Sequence, residues 1–121
     1  MKNKAFRMTM LFDFYGDLLT ERQQEFFDLY YNEDLSLAEI AENAGITRQG
    51  VRDVLVRSEA ILTDMEEKTG IVARFLAMQR ISEQIESAAS QILLINEERY
   101  GSADLMRLAR EILDNAHLLK E

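Results

Sequence analysis

The chain contains no cysteine, no proline and no tryptophan among its 121 residues, and only 5 glycines and one histidine. Without cysteine there is neither a disulfide framework nor a thiolate metal site. His117 stands alone, so no histidine cluster can form, and no metal or other cofactor is expected. There is no P-loop and no nucleophile set beside a base. The neighbouring carboxylates Glu66 with Glu67, and Glu97 with Glu98, are adjacent in sequence and do not share a helix face, so an enzyme is not expected. No apolar run exceeds the four residues of Ile92 to Ile95, too short to span a bilayer, which argues against membrane insertion. Lys2, Lys4 and Arg7 are not followed by the apolar stretch of a signal peptide, and Asp13 and Asp17 interrupt the segment; the expected location is cytoplasmic.

Basic charge is also scarce. The chain has 14 Lys and Arg against 22 Asp and Glu, a formal net charge of -8. The deficit is even: residues 1–62 and 63–121 each hold 7 basic and 11 acidic side chains. Bulk counterion release therefore cannot drive strong non-specific binding to nucleic acid, and any such binding must come from a local patch.

What the sequence does have is helical pattern. Missing proline and few glycines favour long helices, and no stretch alternates as a half-buried strand does, so the fold class is all-α. Residues 4–19 read as a first helix with Phe6, Met10, Phe14 and Leu18 on one stripe, widened by Leu11. Thr20 and Gln23 form a capping box for a helix over residues 21–31, in which Phe26, Phe27, Leu29 and Tyr30 are, in some combination, core candidates. Ser36 and Glu39 form a second box, opening a short helix with Leu37, Ile40, Ala41 and Ala44. Gly45 suits a left-handed turn position, and Thr47 caps the helix that follows. That helix carries Val51, Val54, Leu55, Ser58, Ile61, Leu62 and Met65 on its apolar and small face.

Residues 36–58 thus make a helix, a glycine turn and a second helix, the pattern of a helix-turn-helix. The second helix offers its first turns to a groove. Arg48 and Arg52 lie four apart and can each grip a guanine edge; Gln49 can bond adenine. Asp53 can accept from cytosine, or hold Arg52 or Arg57 in place. Thr47 and Arg57 are candidates for phosphate contact, with the backbone N–H groups at the helix start. Gly50 removes a side chain that could touch the DNA backbone.

The segment LLTERQQEFFDLYYNEDLSLAEIAENAGITRQGVRDVLVRSEAIL, residues 18–62, resembles the promoter-reading C-terminal region of bacterial sigma factors. The shared features are the leading helix from Thr20, the LS-x-x-EIA helix at Leu35 to Ala41, and the G-[IVL]-[ST]-x-x-x-V start at Gly45 to Val51. More specifically, MTMLFDFYGDLLTERQ and QGVRDVLVRSEAIL make the chain similar to the YlxM family of small bacterial helix-turn-helix proteins. That resemblance implies an association with the signal recognition particle and its receptor, in a regulatory or assisting role.

Beyond Gly70 a long helix is expected over residues 71–98. Ile71, Phe75, Met78, Ile81, Ile85, Ala88, Ile92 and Ile95 recur mostly by threes and fours, as in a coiled-coil seam. Tyr100 and Gly101 end it. Ser102 caps a last helix bearing Leu105, Leu108, Ile112, Ala116 and Leu119. The two helices can fold back as a hairpin or pair with another chain. A final helix shorter than the seam favours a homodimer through Ile71, Phe75, Met78, Ile81, Ile85, Ile92 and Ile95.

The sequence therefore predicts an N-terminal helix and sigma-like helix-turn-helix domain over residues 1–65, and a helical extension over residues 66–121. The function expected is regulatory binding of DNA through Thr47, Arg48, Gln49, Arg52, Asp53 and Arg57. The alternative is an accessory factor that binds signal recognition particle proteins, or structured RNA, without reading duplex sequence. An RNA duplex has a major groove too narrow for a helix, so arginines would there meet phosphates or a loop.

Overall fold

The structure is a computed structural model and describes residues 2–120; the terminal residues of the two expected domains, Met1 and Glu121, lie outside the described residues. Every regular element among the described residues is a helix: α1 Lys2–Tyr15, α2 Glu21–Tyr31, α3 Leu37–Ala44, α4 Arg48–Thr69, α5 Ile71–Ile95 and α6 Ala103–Leu118. A 3₁₀ turn, Gly16–Leu18, follows α1, and a π-type turn, Asn96–Tyr100, follows α5. The chain is all-α, a helix-turn-helix followed by a long helix and a final one. It divides into two compact units, the first ending at Val72 and the second beginning at Ala73.

In the first unit, side chains fix the helix starts. Thr20 accepts from the Gln23 N–H at 3.2 Å, and the Gln23 side chain accepts from the Thr20 N–H at 2.9 Å. Ser36 and Glu39 repeat the exchange at 3.1 and 3.0 Å. Each box satisfies two donors that a helix start leaves without an intrahelical partner. The Ser36 backbone and hydroxyl bonds also hold the Glu39 carboxyl below its ordinary pKa. Gly45 closes α3 at φ 71°, and the Ile46 N–H returns to Ala41 O at 3.1 Å, a Schellman closure that reverses the chain towards α4.

Helix α4 is the spine of this unit. Val51, Leu55, Ser58 and Leu62 are buried along it, and α1, α2 and α3 pack against it. Ile40 and Ala41 of α3 fill the inner side of the helix-turn-helix, and Phe26 and Phe27 of α2 fill the centre. Phe27 stacks on Phe12 with ring centroids 4.8 Å apart, and meets Tyr31 at 4.6 Å with the rings tilted by 36°.

Helix α1 departs from the expected stripe. Met8, Leu11, Tyr15 and Leu19 are buried, whereas Phe6, Phe14 and Leu18 are exposed. The segment is apolar almost all round, so two overlapping stripes satisfy the helical period equally. Burial goes to the stripe that lets Tyr15 reach the end of α4. Ile61, expected on the inner face of α4, is also exposed.

The second unit is an antiparallel hairpin of α5 and α6. The Ser82 hydroxyl donates to Ala116 O at 2.6 Å. Glu86 accepts from Lys120 at 2.9 Å, and its other oxygen lies 2.8 Å from His117 Nδ1. At the turn, Asn96 donates to Ser102 O at 2.9 Å and accepts from the Ser102 N–H at 2.8 Å. The buried contact is made of small and polar residues: Ser82, Ala89, Asn96, Ala109 and Ala116. The expected apolar seam is offset from it. Met78, Ile81, Ile92 and Ile95 face outward, with Ile71 at the end of the first unit, while Phe75 and Ile85 are half-buried. On α6, Ala116 faces inward and Leu105, Leu108, Ile112 and Leu119 do not. Small residues win the hairpin contact because they let two backbones approach closely, and the branched side chains are displaced to its edge.

Candidate nucleic-acid interface

The turn from Gly45 to Thr47 aims the first turns of α4 into solvent. Thr47 is extended at φ -80° and ψ 157°, and its hydroxyl accepts from the Gly50 N–H at 3.0 Å. The cap leaves other N–H groups of the first turn pointing outward at the positive end of a helix dipole. Ile46 tucks under the turn. A Cβ at Gly50 would sit 3.3 Å from the Thr47 hydroxyl and 3.4 Å from Ile46 Cδ1. Gly50 therefore faces the cap and the turn beneath it. Its missing side chain leaves room for the Thr47 cap and for Ile46.

Arg48, Gln49, Arg52, Asp53 and Arg57 are all exposed on α4. Among the described residues, Arg48, Arg52 and Arg57 form no ion pair. Asp53 does not hold either neighbouring arginine; it accepts from Gln49 Nε2 at 3.0 Å. That bond engages one N–H of the Gln49 amide; its carbonyl and its other N–H are the acceptor and donor an adenine edge needs. Three guanidinium groups, one oriented amide and one hydroxyl thus share the leading half of one helix.

Arg52 also lines a shallow cleft of about 140 Å³ beside α4, with Lys4, Tyr30, Tyr31 and Glu59. Lys4 pairs with Glu59 at 3.2 Å. Burial, and then the adjacent Glu59 carboxylate, pushes the Tyr31 phenol well above its ordinary pKa. This wall was not anticipated from sequence, because Lys4, Tyr31 and Glu59 come from three helices.

A second grouping was also missed. Tyr15 of α1 donates to the buried Glu66 carboxylate at 2.6 Å and touches the Thr69 hydroxyl at 2.5 Å; the same Glu66 oxygen accepts from the Val72 N–H at 3.0 Å. Glu66 therefore ties α1 and the end of α4 to the first turn of α5. Burial, followed by the Glu66 hydrogen bond, raises the Tyr15 pKa. A signal was present: Glu66 continues the inward series Val51, Leu55, Ser58 and Leu62 by one further turn.

No group of three or more metal-ligating side chains occurs among the described residues, and none of their helices is long and apolar enough to cross a membrane.

Residues 2–99 match the family described as "Putative helix-turn-helix protein, YlxM / p13 like". A UPF0122 protein of Desulforamulus reducens is 47% identical over 97 residues, which cover 80% of this chain and 78% of the relative. A UPF0122 protein of Halalkalibacterium halodurans is 44% identical over 91 residues, 75% of this chain and 84% of the relative. One from Bacillus cereus strain AH187 is 43% identical over 98 residues, 81% and 89% of the two chains.

Proposed function

The chain belongs to the YlxM / p13-like family of helix-turn-helix proteins, and from that premise we propose that it is a regulatory protein that binds duplex DNA through the first half of α4. The observation that carries the reading is the exposed, unpaired set of Arg48, Arg52 and Arg57 on the helix that follows the Gly45 turn. In the docking it implies, α4 enters the major groove by its N-terminal turns. Arg48 and Arg52 read guanine edges, and Gln49, held by Asp53, reads adenine. Arg57 and the Thr47 end of the helix meet phosphates.

Selection of bound duplexes from a random pool at low salt tests this. Arg48→Ala and Arg52→Ala each relax preference by about 1–3 kcal/mol at one base pair. Failure to bind any duplex, or binding that ignores both substitutions, removes the reading.

We further propose that the protein acts in the cytoplasm and assists or regulates the signal recognition particle pathway. One observation favours a second reading. The chain is strongly acidic away from α4, and an acidic surface suits a basic protein partner. On that reading, signal recognition particle proteins are captured equally by the wild type and by both arginine variants.

A further inference from the structure

The α5–α6 hairpin is turned inside out relative to an ordinary two-layer core. Its buried apolar residues are the alanines Ala89, Ala109 and Ala116. Phe75, Leu76, Ile85, Leu93 and Leu113 are half-buried, and other large apolar side chains lie outside, among them Met78, Ile81 and Ile92 on α5 and Leu105, Leu108 and Ile112 on α6, each between 39% and 52% exposed.

These two strips form one surface. Ile81 and Ala88 precede the inward Ser82 and Ala89 by one residue; Leu108 and Asn115 precede the inward Ala109 and Ala116 by one residue. A step of one residue turns each strip by about 100°. Because the helices are antiparallel, that same step carries both strips to the same side of the hairpin. The α5 strip recurs mostly by threes and fours, as does the α6 strip at Leu105, Leu108 and Ile112, the spacing that packs against another helix layer at a shallow angle.

We propose that a second copy of this chain covers this face, giving an antiparallel pair of hairpins joined as a four-helix bundle. Size supports it. Met78 to Ile95 rises about 26 Å and two helices are about 20 Å wide, so the face spans about 500 Å² in projection and more as accessible surface. A stable interface buries about 800 Å² per partner. Pattern supports it too. A two-helix layer with heptad-like strips is completed by another such layer, and a twofold pair presents the same face to itself. The pairing places two copies of α4 in one particle. It does not depend on what α4 binds.

Sedimentation of the full chain without DNA tests the pairing across about 1–100 μM. The expected mass is twice the 14.0 kDa of one chain. Ile81→Glu and Leu108→Glu each weaken the pairing at least tenfold and yield monomer. Their exposure in the single chain keeps helix content at the wild-type level by circular dichroism. Arg80→Gln, on an exposed position, leaves the mass unchanged. A wild-type monomer at every concentration overturns the proposal and leaves the face to a different protein. A dimer that survives both glutamates overturns it as well, by placing the interface elsewhere. Neither result bears on duplex binding, which is scored separately.

Discussion

At the residue scale, Gly45 sets the direction of the reading helix. Its φ of 71° lies where a Cβ collides with the chain's own carbonyl, yet no other atom stands within 4 Å of the site such a Cβ would occupy. The cost of any side chain here is therefore purely backbone conformational. Gly45→Ala is expected to lower unfolding stability by about 1–2 kcal/mol, and Gly45→Asn by less, because asparagine tolerates the left-handed region. Urea denaturation of the two variants measures both. Equal losses would mean that the turn is held by side-chain packing rather than by backbone freedom. Gly50, five residues on, obeys a different rule: its φ is not positive, and what it avoids is crowding of the Thr47 cap and Ile46. Two glycines in one short motif thus have two physical causes, and sequence distinguishes only the first, by its place after a capped helix.

At the element scale, α4 serves two purposes along its 22 residues. Its first half presents the arginines, and its last turn carries Glu66, which accepts from Tyr15 and from the start of α5. Tyr15→Phe removes a donor from a buried carboxylate and is expected to lower the melting temperature by several degrees. The pH dependence has a definite sign. The folded-state pKa of Tyr15 is raised above 10.0, so the proton is held more tightly in the folded chain. The stability this gives is complete below pH 10.0 and is lost as pH rises through the folded value. Tyr31 shifts in the same direction, so Tyr15→Phe should reduce the alkaline loss of stability without abolishing it. Melting curves from neutral pH into the alkaline range, for both proteins, give the comparison; identical pH profiles would show that Tyr15 carries none of it. Elements of this kind were legible in sequence wherever a local rule governs them. The boxes at Thr20 and Ser36, the cap at Thr47 and the stops at Gly45, Gly70 and Gly101 depend only on neighbours within a few residues. The facing of α1 and α5 was not legible. Both are apolar around most of their circumference, and which stripe goes inward depends on what a distant helix offers: Glu66 and the α4 spine for α1, the small residues of α6 for α5. The candidate site divides the same way. Its arginines were read from the motif, whereas the bond between Gln49 and Asp53 and the tyrosine wall beside Arg52 needed coordinates.

At the scale of the whole molecule, a chain of net charge -8 must bind DNA against its own field. Beyond about 10 Å that field is screened at 0.1 M salt, so the acidic remainder slows approach more than it weakens a docked helix. The docked contact itself rests on few charges. With Arg48, Arg52 and Arg57 as its cations, one copy releases counterions from at most three phosphates. With Arg57 at a phosphate and Arg48 and Arg52 at base edges, the logarithm of affinity should fall against the logarithm of salt concentration with a slope of about -1 per copy, and no steeper than about -3, at a coefficient near 0.9 per phosphate. Two copies acting together should approach twice that. Arg57→Ala, at a phosphate contact, should lessen the slope by about 1 per copy while leaving sequence preference intact. Arg48→Ala and Arg52→Ala, at base edges, should instead alter preference. Fluorescence anisotropy over a potassium chloride series measures these slopes directly. A slope of about -8 or steeper per copy would require a basic surface that this chain does not carry on α4. A slope near zero would mean that the arginines meet something other than phosphate, and the acidic chain would then be read through a protein partner.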